Sequence, residues 1–341
     1  MSTSEPLVSV VTPVYNTAEY LGEAIESVLA QSYGNFEYII ADNCSTDGSS
    51  DIAHKYARLD KRVRVADHSE FLPQNGNYNR TMRLISPVAR YCKMVQADDW
   101  IFPDCLRELV GVAEIDPTIA IVGGYQLAGP RVDCRGLVCS RPSQPYTVVS
   151  GREACRMYLL HGKYLFGTPN CLLYRADLVR SRDRFYREDT IHADSELCFE
   201  VLGQYKFGFA HSIVSSARLG NPSISASTED FFSDFRHAYI IMVRYGRLHL
   251  TEAEYAYHLG KIRKEHYRWL AYNVFRRRDK KFWEFQEEGF RIAGDRLDWQ
   301  RLLLLQVPRV GRMIGNPLST LQSAAQLVSG RLRRRDTSPI E

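Results

Sequence analysis

The sequence predicts an α/β protein with a mostly parallel sheet flanked by helices, followed by a helical C-terminal subdomain. Short β-branched runs alternate with amphipathic segments in the first part of the chain, which is the pattern of βαβ units. After Asp230 the pattern is almost wholly helical and more basic. We therefore expect an α/β domain over residues 1–228, with halves 1–124 and 125–228, and a helical, basic region over residues 229–341.

Each predicted strand is a β-branched or aromatic run, and each predicted helix has apolar residues at helical spacing. The first helix shows this with Leu21, Ile25 and Val28, and Thr17 is its expected N-cap. The predicted strands are Leu7–Asn16, Phe36–Asn43, Val63–Asp67, Tyr91–Ala97 and Ile119–Leu127. The helices between and after them are Thr17–Ser32, Asp51–Leu59, Asn77–Ser86, Pro103–Ile115 and, later, Asp194–Tyr205.

The composition is that of a soluble globular protein with a sizeable core. Hydrophobic residues make up 45% of the 341 residues and charged residues 25%. The net charge of +4 and the lack of a basic surface in the first two-thirds argue against a nucleic-acid partner. The eight cysteines form no CxxC pair, which favours reduced thiols. With no signal-peptide pattern and no run of ~18–20 apolar residues, we expect a cytoplasmic protein.

Four predicted strands end in polar residues: Thr12–Asn16, Asp42–Ser45, Asp67–His68 and Asp98–Asp99. In an open parallel sheet, ligands bind beyond the carboxyl ends of the strands. We therefore interpret these four ends as parts of one site.

Two of these ends allow both a structural and a functional interpretation. Adjacent carboxylates such as Asp98 and Asp99 can hold Mg²⁺ or Mn²⁺, but either one can also cap the helix that begins near Pro103. Asp42 precedes a turn rich in capping residues, yet it is also free to accept hydrogen bonds from a nucleobase or ribose. Tyr15 can stack on a base or belong to the core.

Taken together and in this order, the motifs resemble the family 2 glycosyltransferases of the GT-A fold. The segments that carry the resemblance are the strand ending in "TPVYN", the tail "SVLAQSY", the strand ending in "DNCSTDGS", the segment "NGNYNRTM" and the acidic "QADDW". The resemblance is tight from Val8 to Cys105 and looser to about Ser225. It implies an inverting glycosyltransferase that uses a nucleotide diphosphate sugar, with residues 1–124 as the donor-binding half and 125–228 as the acceptor side.

The resemblance also implies roles for residues at matching positions. Asp42 would accept a hydrogen bond from the base, Asp98 would approach the ribose or donor sugar, and Asp99 would bind Mn²⁺ or Mg²⁺ at the diphosphate. The expected pocket walls and further nucleotide-sugar contacts are Thr12, Pro13, Tyr15, Asn16, Asn79, Arg80 and Arg218. For Arg80 an exposed helix position is the alternative. In the usual family pattern a tyrosine precedes the arginine, whereas Ala217 precedes Arg218 here.

The general base is expected in "HADSELCFE", which resembles the family segment that opens a helix after the metal motif. Asp194 is the predicted base and Glu196 the fallback, since a positioned carboxylate can take the acceptor proton. An N-cap role for Asp194 is the alternative. His192 precedes these residues and is predicted, with Gly167 and Thr168, to line the acceptor side.

The predicted acceptor is a hydroxyl of a saccharide or lipid-linked saccharide, in polysaccharide or glycan biosynthesis. The basic, aromatic C-terminal region is a candidate for peripheral contact with an anionic membrane at its inner face, and a solvated basic face is the alternative. A catalytically idle sugar-binding protein on the same fold is the main alternative function. A nucleotidylyltransferase or a dehydrogenase would need a Gly-rich loop after the first strand, and "TPVYNTAEY" has none.

Overall fold

The computed structural model describes residues 5–128, 131–133, 144–218, 233–274 and 278–307. The predicted boundary between residues 228 and 229 lies outside these ranges. The chain divides into two compact units, residues 1–232 with 241–258 and residues 233–240 with 259–341.

A mixed sheet forms the centre of the first unit. Within the described residues its strands are β1 (Val8–Val14), β2 (Phe36–Asp42), β3 (Val63–Asp67), β4 (Tyr91–Met94), β5 (Trp100–Ile101), β6 (Ile119–Ala128), β7 (Arg131–Asp133), β8 (Tyr146–Ser150), β9 (Leu173–Arg175) and β10 (Lys206–Ala217). The order is β3-β2-β1-β4-β9-β6-β10-β5, with β7 on β6 and β8 on β10. Strands β3, β2, β1 and β4 are parallel, as are β6 and β10. Strand β9 runs antiparallel between the two parallel groups.

Helices flank this sheet and make up most of the C-terminal region, so the predicted fold class is confirmed. In the described ranges they are α1 (Ala18–Leu29), α2 (Ser49–Leu59), α3 (Gln74–Met82), α4 (Cys105–Ala113), α5 (Gly151–His161), α6 (Ala176–Arg180), α7 (Ala193–Val201), α8 (Ser233–His249), α9 (Glu252–Val274), α10 (Lys280–Ile292) and α11 (Trp299–Leu304). None of these helices is both long and apolar enough to cross a bilayer.

Helix α1 begins after Thr17 as predicted, but its cap comes from another segment. The Thr17 side chain makes no capping hydrogen bond. Instead, Oδ2 of Asp47, in the loop after β2, accepts a hydrogen bond of 2.9 Å from the backbone N–H of Ala18. The first turn of α1 is therefore tied to the neighbouring strand–helix loop.

The strand register explains why the polar strand ends meet. Val14 pairs with Asp42, and Asp42 pairs with Asp67. Beyond β4, the N–H of Val95 still donates to the carbonyl of Val11 at 2.9 Å. The carboxyl ends of these parallel strands therefore lie along one edge of the sheet, as the sequence predicted.

Candidate active site

At the end of β2, Asp42 leaves one carboxylate oxygen without a partner. The Asp42 side chain is buried, and its Oδ2 accepts a hydrogen bond of 3.0 Å from Ser45 N–H. Its Oδ1 is buried with no hydrogen-bond partner in the part of the chain that the structure describes, as are Nε2 of His68 and Nε of Arg80. Burial, and then the charge of Arg80, lower the pKa of His68. Because buried polar atoms are normally paired, this cluster is arranged to bind a polar group from outside the chain.

Two exposed aromatic rings lie near this cluster. Tyr15 follows β1, and its ring centroid lies 4.8 Å from that of Phe71, with the planes 56° apart. Both side chains are about half exposed. Each ring is therefore partly open to solvent, and stacking of Tyr15 on a base stays a prediction.

Asn16 holds two loops together. Its φ angle is +50°, a conformation that asparagine tolerates better than most residues. Its N–H donates to Ser45 Oγ at 3.0 Å, and its Oδ1 accepts from Thr46 N–H at 2.8 Å. The side chain predicted to wall the pocket is thus used to join the loop after β1 to the loop after β2.

Thr12 and Pro13 lie inside the sheet. Both are buried, and Thr12 Oγ1 is 2.9 Å from the hydroxyl of Tyr38. Pro13 pairs with Ala41 in the β1–β2 register. These two residues support the pocket from within β1, and their side chains are not exposed to a ligand.

Of the predicted pair Asn79 and Arg80, the structure brings only Arg80 to the pocket. Asn79 Nδ2 donates to the carbonyl of Tyr186 at 2.8 Å and to Glu188 at 3.0 Å, and its Oδ1 accepts from Tyr186 N–H at 2.7 Å. These contacts saturate the amide, so the predicted nucleotide contact of Asn79 is not supported. Arg80 donates to Oδ1 of Asn43, the neighbour of Asp42.

The acidic pair follows β4 as predicted. Asp99 is buried, its Oδ1 accepts a hydrogen bond of 2.7 Å from Arg218 N–H, and its Oδ2 accepts from Asn170 Nδ2. Burial raises the pKa of Asp99 to about 7, the Arg218 N–H opposes that rise, and the charge of the half-buried Asp98 adds to it. Burial and the neighbouring charge of Asp98 thus both disfavour the ionised form of Asp99.

This donor set fits a hard divalent cation. Carboxylate oxygens are the ligands that Mg²⁺ and Mn²⁺ prefer, and a cation would offset the charge that disfavours ionisation of Asp99. Within the described ranges, no group of three or more His, Cys, Asp or Glu side chains could hold a metal. Asp99 would therefore share the cation with water and ligand oxygens, as Mg²⁺ sites at phosphates commonly do.

Arg218 lies directly beside the acidic pair. Its Nε donates to the carbonyl of Asp98 at 3.1 Å, and its guanidinium forms an ion pair with Glu23 and lies 4.5 Å from the ring centroid of Tyr20. The placement agrees with the prediction, although the guanidinium is engaged by Glu23. The rest of the predicted segment, residues 219–225, lies outside the described residues.

The predicted base Asp194 lies in a partly buried position. Asp194 is a half-buried residue in the first turn of α7, and burial raises its pKa to about 6. Burial raises the pKa of Tyr78 to about 12, and the charges of Asp98 and Asp194 both add to this rise. Both carboxylates therefore act in the same direction on the pKa of Tyr78, after the larger effect of burial.

The fallback base Glu196 is placed differently. Its side chain is 0% exposed, and its Oε2 accepts hydrogen bonds from Arg244 Nη1 at 2.7 Å and from the Tyr245 hydroxyl at 2.9 Å. A carboxylate sealed among these partners has no access to an acceptor. The structure thus leaves Asp194 as the candidate base and gives Glu196 a structural role.

Comparison with known proteins agrees with this geometry. The family model for "Glycosyl transferase family 2" matches residues 9–180, about half of the chain. This chain belongs to glycosyl transferase family 2. The prediction of a glycosyltransferase of this family is thereby confirmed.

Relatives with this name are similar over part of their length. One relative is TuaG of Bacillus subtilis, a glycosyltransferase named for teichuronic acid biosynthesis. The two chains are 39% identical over 101 residues, and this match covers 29% of this chain and 38% of TuaG. It is 34% identical over 121 residues to glycosyltransferase GlyG of Streptococcus pneumoniae, which is 35% of this chain and 39% of GlyG. The chain thus covers well under half of either relative.

Solved structures share the fold at low identity. S. aureus TarS in complex with UDP-GlcNAc matches with a TM-score of 0.59 and 18% identity, over 84% of this chain and 79% of that one. The mannosyltransferase PcManGT from Pyrobaculum calidifontis, in complex with GDP-Man and Mn²⁺, matches with a TM-score of 0.55 and 16% identity, over 98% and 89%. These likenesses support the GT-A-like fold of the family 2 domain.

On the predicted acceptor side, local packing explains Gly167. Its φ angle is +71°, and a Cβ there would lie 2.8 Å from Cys171 Sγ, so only glycine fits. Thr168 Oγ1 accepts a hydrogen bond of 3.1 Å from Gln126 Nε2. His192 immediately precedes α7 and is half-buried, with its N–H donating to Thr190 Oγ1 at 3.2 Å. Their predicted contact with an acceptor stays a prediction.

Three residues of this family 2 site were missed as site residues by the sequence analysis. His68 was grouped only with the polar strand ends. Asn170, which contacts Asp99, lies two residues after Thr168 but carries no sequence signal of its own. Lys93 is a charged residue inside the apolar strand β4, and that interruption of the pattern was the available clue.

Proposed function

We propose that this chain is an inverting, metal-dependent glycosyltransferase that moves a sugar from a UDP- or dTDP-sugar to a hydroxyl of a saccharide or lipid-linked saccharide. The observation that carries the proposal is the placement of the acidic pair after β4 at the edge of the sheet where Asp42, at the end of β2, leaves a buried carboxylate oxygen unpaired. A nucleotide-sugar transfer with inversion needs a cation site for the leaving diphosphate and a base for the incoming hydroxyl, next to each other.

The donor's base would bind at the end of β2. The unpaired Oδ1 of Asp42 would accept the imide N–H of uracil or thymine, and Arg80 and His68 would provide further polar contacts. Tyr15 and Phe71 would stack against the base with their exposed faces. TarS, which shares this fold, was solved in complex with UDP-GlcNAc, which supports a nucleotide-sugar as the ligand.

Asp99 would hold Mn²⁺ or Mg²⁺, and Asp98 beside it would approach the ribose or the donor sugar. The bound cation offsets negative charge on the diphosphate as it leaves. Asn170 and the backbone N–H of Arg218 orient Asp99 for this role by occupying one lone pair on each of its oxygens. The Mn²⁺ complex of PcManGT is consistent with a cation at this edge.

Asp194 would act as the general base. Its carboxylate would take the proton of the acceptor hydroxyl while that oxygen attacks the anomeric carbon from the face opposite the diphosphate, which inverts the configuration. A pKa raised to about 6 by burial makes it a better proton acceptor than an exposed aspartate and leaves it ionised at neutral pH.

The acceptor class is inferred from a named relative, and the localisation from the basic C-terminal region. TuaG is named for teichuronic acid biosynthesis, which supports a role in polysaccharide or glycan assembly. We propose a cytoplasmic protein that contacts the inner face of a membrane through its basic C-terminal region. The most basic part of that region, residues 331–335, lies outside the described residues.

The test is nucleotide release from UDP-, dTDP- and GDP-sugars, with and without Mn²⁺, by the wild type, Asp99→Ala and the control Asp104→Ala. Asp104 is an exposed carboxylate that contacts Arg107 and Ser32, outside the candidate site. We expect Mn²⁺-dependent release from one donor, retained in Asp104→Ala and lost in Asp99→Ala. Equal release by both variants would contradict the assigned metal site. No release and no nucleotide-induced thermal shift with any donor would contradict the enzyme and favour an idle binding protein.

A further inference from the structure

The side chain of Lys93, in the middle of β4, is buried completely. Its Nζ donates hydrogen bonds to the carbonyls of Asn170, Leu172 at 3.2 Å and Pro169 at 3.4 Å. An ammonium group has three donors and no acceptor, so these three carbonyls match its capacity. All three lie in residues 169–172, which we call the carbonyl turn.

Burying the charged side chain of a lysine at this position has a high free-energy cost. Removing an ammonium from water costs free energy that only good hydrogen bonds or counter-charges offset. An unbranched apolar side chain such as methionine would fill a similar volume without that cost. The presence of a lysine therefore points to a function of its hydrogen bonds to the carbonyl turn, beyond packing.

The carbonyl turn carries one side chain into the candidate metal site. Asn170 is buried completely. Its Oδ1 accepts a hydrogen bond of 2.7 Å from Gln96 N–H, and its Nδ2 donates to Asp99 Oδ2. With one end on a donor and the other on a carboxylate, the amide has only one orientation that satisfies both. Asn170 thus links the carbonyl turn to the residue predicted to bind the cation.

We propose that Lys93 is a positioning residue that acts on Asp99 through the carbonyl turn and Asn170. By holding three carbonyls of the turn, it keeps the Asn170 amide against Asp99 Oδ2 and so sets the direction of the Asp99 lone pairs that remain for a cation. Lys93 itself touches neither donor nor acceptor. The inference rests on the proposed function, since it concerns the same acidic pair.

The test is a double-mutant cycle with Lys93→Met, Asn170→Ala and the double variant, with Cys92→Ala as the control. Cys92 is the buried neighbour of Lys93 on the same strand, and its thiol contacts Met82 instead of the carbonyl turn. The measurements are Mn²⁺-dependent binding of the nucleoside diphosphate by calorimetry, kcat/KM for donor cleavage, and the urea midpoint of unfolding.

We expect each single change to lower Mn²⁺-dependent nucleotide affinity and kcat/KM by about 10–100-fold, the usual effect of losing a residue that orients a metal ligand. Because both residues act along one path, the losses should not multiply. The affinity and kcat/KM of the double variant should lie within about threefold of those of the more damaged single variant. Cys92→Ala should stay within about threefold of the wild type in both quantities.

Lys93→Arg provides a second variant, since a guanidinium also donates to carbonyls. It should retain more Mn²⁺-dependent affinity than Lys93→Met. If Lys93→Met does not fold, Lys93→Gln, a neutral side chain with fewer donors, takes its place in the cycle. Two outcomes would overturn the inference while the proposed function stands. One is a double variant whose loss of affinity equals the product of the two single losses, and the other is wild-type affinity in Lys93→Met. A wild type that cleaves no nucleotide-sugar would overturn the proposed function first, and this inference with it.

Discussion

The carboxylate of Glu196 in α7 is buried completely and is held by Arg244 of α8, whose Nη1 lies 2.7 Å from Oε2. The Tyr245 hydroxyl donates to the same oxygen at 2.9 Å. Glu196 thus joins α7 to the part of α8 that belongs to the same compact unit. A buried charge with these partners serves stability and is closed to substrate.

Glu196→Ala should lower the free energy of unfolding by about 3–5 kcal/mol, because removal of one partner leaves the other charge buried and uncompensated. Urea denaturation measures the change. The control is Glu200→Ala on the same helix, whose ion pair with Arg182 is exposed and should contribute less than about 1 kcal/mol. If Glu196→Ala has wild-type stability but no turnover, Glu196 would again be a candidate general base.

Asp194→Asn should lower kcat for sugar transfer by about 10²–10⁴-fold, the usual contribution of a general base. Donor affinity and the urea midpoint should stay close to wild type, because the Asp194 side chain is half exposed and is not among the residues proposed to contact the nucleobase. Steady-state kinetics with a hydroxyl acceptor measures the change, and Glu200→Gln on the same helix is the control. A loss of donor affinity equal to the loss of kcat would argue against a base.

The raised pKa of Asp194 predicts the sign of the pH dependence. A general base must be ionised, so kcat should be low below pH 6, rise through about 6 and level off above it. The profile is measured with saturating donor and Mn²⁺, so that the cation keeps Asp99 ionised. In Asp194→Asn the residual rate should lack this inflection. An unchanged inflection in the variant would assign it to another group.

Asp42→Asn should weaken nucleotide binding selectively. Asparagine can still accept from Ser45 N–H, but its amide NH₂ would face the base where Oδ1 now lies unpaired. Loss of a hydrogen bond to a charged group, about 1.5–3 kcal/mol, corresponds to roughly 10–150-fold in Kd. Calorimetry with UDP measures the loss, and Asp51→Asn, exposed in the first turn of α2, is the control. Unchanged affinity for UDP would mean that the uracil does not bind at Asp42.

The sequence by itself determined the elements and the edge of the sheet that carries the site. Strand runs and helical spacing depend on neighbouring residues, so β1, α1, β2 and the polar strand ends could be predicted from local patterns. Parallel pairing then aligns Asp42 and the Asp98–Asp99 pair at one edge. The order of motifs was sufficient to identify the family.

Only the tertiary structure decided which polar residues face a ligand and which hold the chain together. Asn79, predicted to bind nucleotide, is hydrogen-bonded to a segment 107 residues away, and Oε2 of Glu196 to an arginine 48 residues away. Asn170 reaches Asp99 across 71 residues. The hydrogen bonds of a buried polar side chain are chosen by packing between distant segments, and local sequence spacing carries no information about those partners.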